Sequence, residues 1–306
     1  MREDLFQKTG LIISKLAYEM LEMRVGERIS SISVYQDKFG ASRGTIQNAL
    51  QFLKNQGAIV LLNRGQLGTY IEQINYSILQ QYSLRANIVG IMPLPYSKLY
   101  EGMATALYMS FEKSSMNFNL AYVRGSETRM DLVVSGAHDF AVCSKHAALQ
   151  AIKNSYPIEI AIDFGVQSYL SEHVLIFKDL LTNQIKDGMR VGIDVYSFDQ
   201  RDLTHVVVGN KQVEFVNIHS HQIIAAIKEG SIDVGVWTLD EILEKQYSDL
   251  NVVSIKESDI NAFSEAVIII RKDNIATYEI LKKYIDISFV RDIQKEVKTG
   301  KLVPSY

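Results

Sequence analysis

Residues 26–59 read GERISSISVYQDKFGASRGTIQNALQFLKNQGAI, and this stretch decides the N-terminal fold. Ile46, Ala49, Leu50 and Leu53 are spaced i, i+3, i+4, i+7, the period of a helix with one apolar face. Ser42 stands just ahead of them, where its hydroxyl can cap the N–H groups of the first turn. Gly57 is placed to end the helix, because glycine takes the left-handed conformation without a Cβ penalty. The spacing therefore predicts a helix over about residues 43–56. A shorter helical segment, Ile32 to Phe39, precedes it, and Gly40-Ala41 forms the tight turn between them. Two such helices define a helix-turn-helix.

The outer face of the second helix carries Arg43, Gly44, Gln47, Asn48, Gln51 and Lys54. Arg pairs with guanine edges or phosphate, and Gln and Asn pair with adenine. Gly44 permits close approach to a phosphate backbone. From Lys38 to Ile71 the basic residues are Lys38, Arg43, Lys54 and Arg64, with no Asp or Glu among them. A charge bias of this kind is felt locally, over about a Debye length. The plainer reading is a small three-helix domain with a polar outer face. The following segment argues against it. Ala58 to Leu62 reads as a strand, Asn63-Arg64-Gly65 as a turn, and Gly68 to Ile71 as the returning strand. Arg64 then sits at the tip of a β-wing, and double-stranded DNA is the expected partner.

These residues resemble the winged DNA-binding domain of the GntR family of bacterial transcription regulators. The resemblance is carried by GERI at 26–29, FG at 39–40, SR at 42–43, Thr45, AL at 49–50, Leu53, Gly57 and Gly68-Thr69-Tyr70. It runs without gaps from Gly26 to Ile59. Ser30, Ser33 and Gln47 stand where that family usually has Pro, Arg and Arg, and the wing is about two residues longer. The resemblance implies DNA binding through Ser42, Arg43, Gly44, Thr45, Gln47, Asn48, Gln51, Lys54, Arg64 and Gly65, on an operator unlike the family's usual one. It also implies a homodimer.

The chain has 306 residues, more than a winged helix needs, so a second domain is expected. Hydrophobic content of 47% and charged content of 22% suit a soluble globular protein. The longest apolar runs, such as Ala58–Leu62 and Ala266–Ile270, are too short for a membrane span or a signal sequence. A cytoplasmic protein without membrane attachment is expected. The single cysteine, Cys143, excludes an internal disulfide, and its apolar surroundings mark it as a buried thiol. Residues 1–72 hold nine basic and seven acidic residues, while the remainder holds 23 and 28. Basic character is thus confined to the DNA-binding end. Residues 72–87 are polar and Gln-rich without a clear period, and read as a linker. The expected division is 1–72, a linker at 73–87, and 88–306.

From residue 87 strands and helices alternate. Ile88–Met92 and Phe118–Val123 read as strands, Leu99–Phe111 as a helix, and Ser126–Ser135 as a short helix with Ser126 as N-cap. This alternation predicts a mostly parallel sheet. An internal echo is present. Gly136-Ala137-His138-Asp139-Phe140-Ala141-Val142 matches Gly230-Ser231-Ile232-Asp233-Val234-Gly235-Val236. Upstream, Ile88–Met92 and Arg190–Asp194 each contain a central Gly and lead into Tyr96-Ser97 and Tyr196-Ser197. Two similar α/β lobes are expected.

This pattern resembles the type 2 periplasmic-binding-protein fold, used as an effector domain by many regulators. The fold class expected is therefore an N-terminal winged helix-turn-helix, α+β with three helices plus wing, followed by a two-lobed α/β periplasmic-binding-protein-like domain. The combination resembles the YhfZ-like regulators. The usual GntR effector domains do not fit, since no all-α domain with a His/Asp metal pattern is visible. The resemblance places a small-molecule effector between the lobes. The candidate contacts are Pro95, Tyr96, Ser97, Ser126, Glu127, Thr128, Tyr196, Ser197, His219, Ser220, Trp237 and Thr238. Serines ahead of helices favour carboxylate or phosphate ligands, although each could simply be a water-exposed cap. No cofactor is implied. His219-Ser220-His221 would put two metal ligands on one face of a strand, but no third ligand is identifiable. No P-loop, dinucleotide fingerprint or nucleophile elbow occurs. A sensor whose winged segment contacts protein, or an enzyme on the binding-protein fold, are the alternatives.

Overall fold

The computed structural model describes residues 8–83, 87–112, 117–255 and 261–306. The chain divides into two compact units. The first comprises Met1–Val89, Phe111–Asn119 and Lys272–Tyr284, and the second Gly90–Ser110, Leu120–Arg271 and Ile285–Tyr306.

The first unit opens with α1 (Lys8–Met20), α2 (Ile32–Phe39) and α3 (Arg43–Asn55). The Ser42 hydroxyl accepts the Thr45 N–H at 3.2 Å and so caps α3. The far end of α3 is closed by the Ala58 N–H, which donates to the Leu53 carbonyl at 2.9 Å. Ile46, Ala49, Leu50 and Leu53 enter one core with Ile12, Leu16 and Met20 of α1 and Tyr35 of α2. Fully burying a side chain of this size stabilises by roughly 1.5–3 kcal/mol. The wing follows as β1 (Ile59–Asn63) and β2 (Thr69–Ile74), paired antiparallel with a bulge between Val60 and Leu61. Each strand starts one residue later than the sequence suggests, because Ala58 is still held by the end of α3 and Gly68, at φ +95°, still belongs to the turn. Between them Gly65–Leu67 form a tight 3-10 turn.

The expected linker is a helix over much of its length. Asn75 caps α4 (Tyr76–Tyr82), accepting the Ile78 N–H at 3.3 Å. Leu79 is fully buried in the winged-helix core. The helical period was hidden because the other buried positions of this segment, Ser77, Gln80 and Ser83, are polar. Helix α12 (Ile275–Tyr284) belongs to the same unit. Its Ala276 joins that core, and its Lys283 ammonium donates to the Ser77 hydroxyl at 3.1 Å.

Two five-stranded sheets carry most of the remainder. Lobe 1 contains β3 (Asn87–Met92), β4 (Asn117–Tyr122), β5 (Phe140–Ser144), β6 (Ile158–Asp163) and β12 (Ala266–Arg271), in the order β4-β3-β5-β12-β6. Lobe 2 contains β7 (His173–Phe177), β8 (Arg190–Ile193), β9 (Glu214–Asn217), β10 (Val234–Thr238) and β11 (Asn251–Ser254), in the order β9-β8-β10-β7-β11. Strand for strand the orders are the same. The chain crosses from lobe 1 to lobe 2 between β6 and β7, and returns between β11 and β12.

The sheets are mixed rather than mostly parallel. β3 and β5 pair parallel, as do β8 with β9 and β10. However, β12 runs antiparallel to β5 and β6, and β7 runs antiparallel to β10 and β11. The cause is topological, since β7 and β12 are the strands that enter from the opposite lobe. The internal echo marks equivalent strands, with the central glycines one residue out of step: Gly90 pairs with Phe140, whereas Gly192 pairs with Gly235 and Val191 with Val234. Glycines 90 and 192 occupy β3 and β8, and in each case a side chain fills the space of the missing Cβ. A Cβ on Gly90 would lie 2.1 Å from Phe140, and one on Gly192 would lie 2.7 Å from Ile223 and Ile232. Among the described residues no helix is long and apolar enough to cross a membrane. Cys143 is a free, fully buried thiol, and burial pushes its pKa up to about 12.

Candidate functional site

Two surfaces carry the candidate residues. The first is the outer face of α3 with the wing. Ser42, Arg43, Gly44, Gln47, Asn48, Gln51, Lys54, Arg64 and Gly65 are exposed there, and Thr45 is half-buried at the start of the helix. The helical period explains this division, because the same turns send Ile46, Ala49, Leu50 and Leu53 inward. Among the described residues no carboxylate pairs with Arg43 or Lys54. Lys38, also part of the basic window, is tied to Glu19 at 2.7 Å and contributes less to the field. The Arg64 guanidinium stacks on the Tyr70 ring, 4.7 Å from its centroid.

A groove of about 540 Å³ lies between α3, the start of α2 and the wing, lined by Gln47, Gln51, Lys54, Asn63 and Gly65 among others. It also exposes Arg28, which the sequence reading did not single out. Arg28 bridges Tyr70 of β2, and a Cβ on Gly68 would come within 2.5 Å of its Nε. The signal was present in the GERI segment, but Arg28 lies upstream of the acid-free window. Gly68 has φ of +95°, so it serves both the wing's turn and the close approach of Arg28.

The second surface is a cleft of about 550 Å³ between the two lobes. Tyr96, Ser126, Thr128, Tyr196, Ser197, His219, Ser220, Trp237 and Thr238 line it. Pro95, Ser97 and Glu127 do not. Ser97 is buried and its hydroxyl accepts the Tyr100 N–H at 3.4 Å, capping α5 (Lys98–Glu112). Glu127 pairs instead with Arg201 at 3.3 Å.

The serines have several roles. α6 (Ser126–Val134) is preceded by Gly125, so Gly125 is the N-cap and Ser126 is the first helical residue. The Ser126 hydroxyl accepts the N–H of Phe198, the first residue of α8 (Phe198–Val208), at 3.3 Å. The N-termini of these two helices, one from each lobe, thus meet across the cleft. Ser197 precedes α8 and makes no side-chain cap. Ser220 donates its N–H and its hydroxyl to Asp194, at 2.8 and 2.6 Å. His219 occupies the N-cap position of a 3-10 segment (Ser220–Gln222) and His221 lies within it, so neither is on a strand and strand alternation does not align them. Their rings lie 5.9 Å apart and nearly parallel, and His221 faces the Arg124 guanidinium at 3.1 Å. Burial first, and Arg124 second, push the His221 pKa down. Among the described residues no three His, Cys, Asp or Glu side chains are grouped to hold a metal.

The deepest charged groups were not among the sequence candidates. Arg129 of α6 is 3% exposed. It donates to the Val142 and Val123 carbonyls at 3.1 and 2.9 Å and to the Tyr169 hydroxyl at 3.2 Å. All three acceptors are neutral, and no carboxylate pairs with it among the described residues. Asp199 of α8, 7% exposed, accepts the Ser144 hydroxyl at 2.5 Å. Burial raises its pKa to about 6, against the opposing pull of that hydrogen bond and of Arg129. His173 is buried in the cleft wall, and desolvation lowers its pKa to about 4. Arg129 had a readable signal. Ser126, Arg129, Met130 and Val133 form the buried stripe of α6, so a charge occupies a core-phase position.

A helix-turn-helix joined to a two-lobed binding-protein-like domain is the class this geometry defines. A helix-turn-helix domain model matches residues 24–71, and the model of the YhfZ C-terminal domain matches residues 75–306. The chain belongs to the YhfZ family. It is 30% identical over 309 residues to YhfZ of Escherichia coli (strain K12), covering 100% of both chains. The crystal structure of YhfZ from Shigella flexneri superposes with a TM-score of 0.62 at 30% identity, covering 76% of this chain and 98% of that one. The alkanesulfonate-binding protein SsuA from Xanthomonas axonopodis pv. citri, bound to MOPS, gives a TM-score of 0.53 at 9% identity. That match covers 71% of this chain and 75% of SsuA, and establishes the shared fold.

Proposed function

We propose that the protein is a GntR-like, DNA-binding transcription regulator whose operator affinity is set by a small metabolite bearing an anionic group, held between the lobes. The observation that carries this reading is the joining, in one chain, of an acid-free recognition face to a cleft containing a buried, carboxylate-free arginine. Residues 1–72 serve DNA and residues 88–306 serve the effector. Arg43, Gln47, Asn48 and Gln51 read base edges. Lys54, Arg64 and Arg28 hold phosphates, which positions the domain without reading sequence. In a cytoplasmic homodimer, two such domains would meet successive major grooves about one helical turn apart.

In the cleft, Arg129 offers a buried guanidinium fork suited to a carboxylate or similar oxyanion. A ligand there can alter DNA binding only by favouring one lobe arrangement over another. No residue is given a catalytic role in this reading. The test is the salt dependence of binding to a mixed-sequence duplex. Phosphate neutralisation makes affinity fall steeply with salt, and Lys54→Ala should make the fall shallower. A flat salt response from folded protein would favour a winged domain that contacts protein.

A further inference from the structure

We infer that the cleft ligand carries a carboxylate and an ammonium group together, as an α-amino acid does. This rests on the reading of the cleft as the effector site. Of the buried charged groups that line it, Glu241 is paired with Lys245 and Asp194 holds Ser220, whereas Arg129 and Asp199, at 3% and 7% exposure, have no ion-pair partner among the described residues. They come from opposite lobes, and they do not pair with each other. A guanidinium has five N–H groups. Arg129 uses one on each nitrogen, for Val142, Val123 and Tyr169, so both terminal nitrogens keep a hydrogen. Asp199 binds Ser144 through Oδ1, and among the described residues Oδ2 accepts nothing.

Isolated buried charges are unfavourable, so an occupant that compensates both is favoured. A simple anion would satisfy Arg129 while placing its charge beside Asp199. A simple cation would reverse the fault. A ligand with both groups, carboxylate toward lobe 1 and ammonium toward lobe 2, satisfies each wall and bridges the lobes. The rest of the wall suits an amino-acid side chain. Tyr96 stacks on Trp237 at 5.6 Å, and Tyr100 meets the Tyr96 ring edge-on at 5.1 Å. At about 550 Å³ the cleft is within the range of small-molecule sites.

The experiment uses the full-length protein with the twenty common L-amino acids. Each is compared with the carboxylic acid lacking its amino group and the amine lacking its carboxylate. Thermal shift identifies binders, and calorimetry ranks them. At least one amino acid should bind, with both truncated analogues weaker by at least about tenfold. Asp199→Asn should abolish the preference over the des-amino acid, and Arg129→Gln the preference over the amine. Equal or tighter binding of a des-amino acid, of inorganic phosphate or of sulfate would overturn the inference, as would binding of no amino acid. The wild-type comparison decides this without the variants. Adding the same compounds during duplex binding separates the two readings. An amino acid that occupies the cleft but leaves DNA affinity unchanged contradicts regulation and leaves the zwitterion standing. A des-amino anion that changes DNA affinity does the reverse.

Discussion

The Phe198 N–H, at the start of α8 in lobe 2, donates to the Ser126 hydroxyl, at the start of α6 in lobe 1, at 3.3 Å. The Phe198 ring goes further. It is 2% exposed and lies within the core of lobe 1, among Ile91, Met130 and Val133. Ser144–Asp199, at 2.5 Å, and His146–Asp202, at 2.9 Å, tie the same helix to lobe 1. Closure of the lobes is therefore built on α8. Phe198→Ala should lower the stability of the two-lobed domain by about 3–5 kcal/mol, the usual result of emptying a buried aromatic site. Urea unfolding followed by Trp237 fluorescence would measure it. An unchanged midpoint would mean that the ring is not seated in lobe 1.

Asp199 gives a pH dependence of defined sign. Its pKa rises from an ordinary 3.8 to about 6 on burial, so the folded state holds the proton more tightly than the unfolded chain. The resulting stability is present at low pH and is lost as pH rises through about 6. Asp199→Asn keeps an oxygen for Ser144 and removes the buried charge. The variant should be more stable than wild type at neutral pH by on the order of 2 kcal/mol, and the gap should narrow on acidification. Paired denaturant titrations at pH on either side of this transition would check it. An offset independent of pH would contradict the assignment.

Arg28 and Gly68 form one device in the wing. Gly68 at φ +95° leaves room for the Arg28 side chain, and a Cβ there would lie 2.5 Å from its Nε. Gly68→Ala should displace Arg28 and weaken duplex binding as Arg28→Ala does. Arg28→Ala should reduce affinity similarly for all sequences, and reduce the salt slope by about 1. A changed base preference in Arg28→Ala would contradict a phosphate-only role.

Much of the winged helix was legible because its signals are local. Ser31, Ser42, Gly40 and the 46/49/50/53 stripe fix both helices within the segment itself. The two lobes were legible through the repeated glycines, whose missing side chains admit Phe140, Ile223 and Ile232. Strand direction was not legible, since β7 and β12 enter their sheets from the opposite lobe and pair there with strands that the local pattern does not name. α4 was missed because Ser77, Gln80 and Ser83 are polar yet buried. In the cleft, Tyr96, Ser126, Tyr196, Ser197, Ser220 and Trp237 followed from strand ends while Ser97 turned inward as a cap, and Asp199 meets Ser144 only through the fold. Arg129 was readable as a charge within an apolar stripe, but the purpose of that charge required its neutral partners to be seen.

The central claim is tested most directly by selecting from a randomised duplex pool with the full-length protein at moderate salt, Arg43→Ala in parallel. The account expects the wild type to retain a two-fold symmetric motif. Arg43→Ala should lose on the order of 1–3 kcal/mol of specific binding, and its base preference where Arg43 reads. Recovery of no motif by folded wild-type protein, or of the same motif at full strength by Arg43→Ala, would contradict the assignment of this helix to DNA recognition.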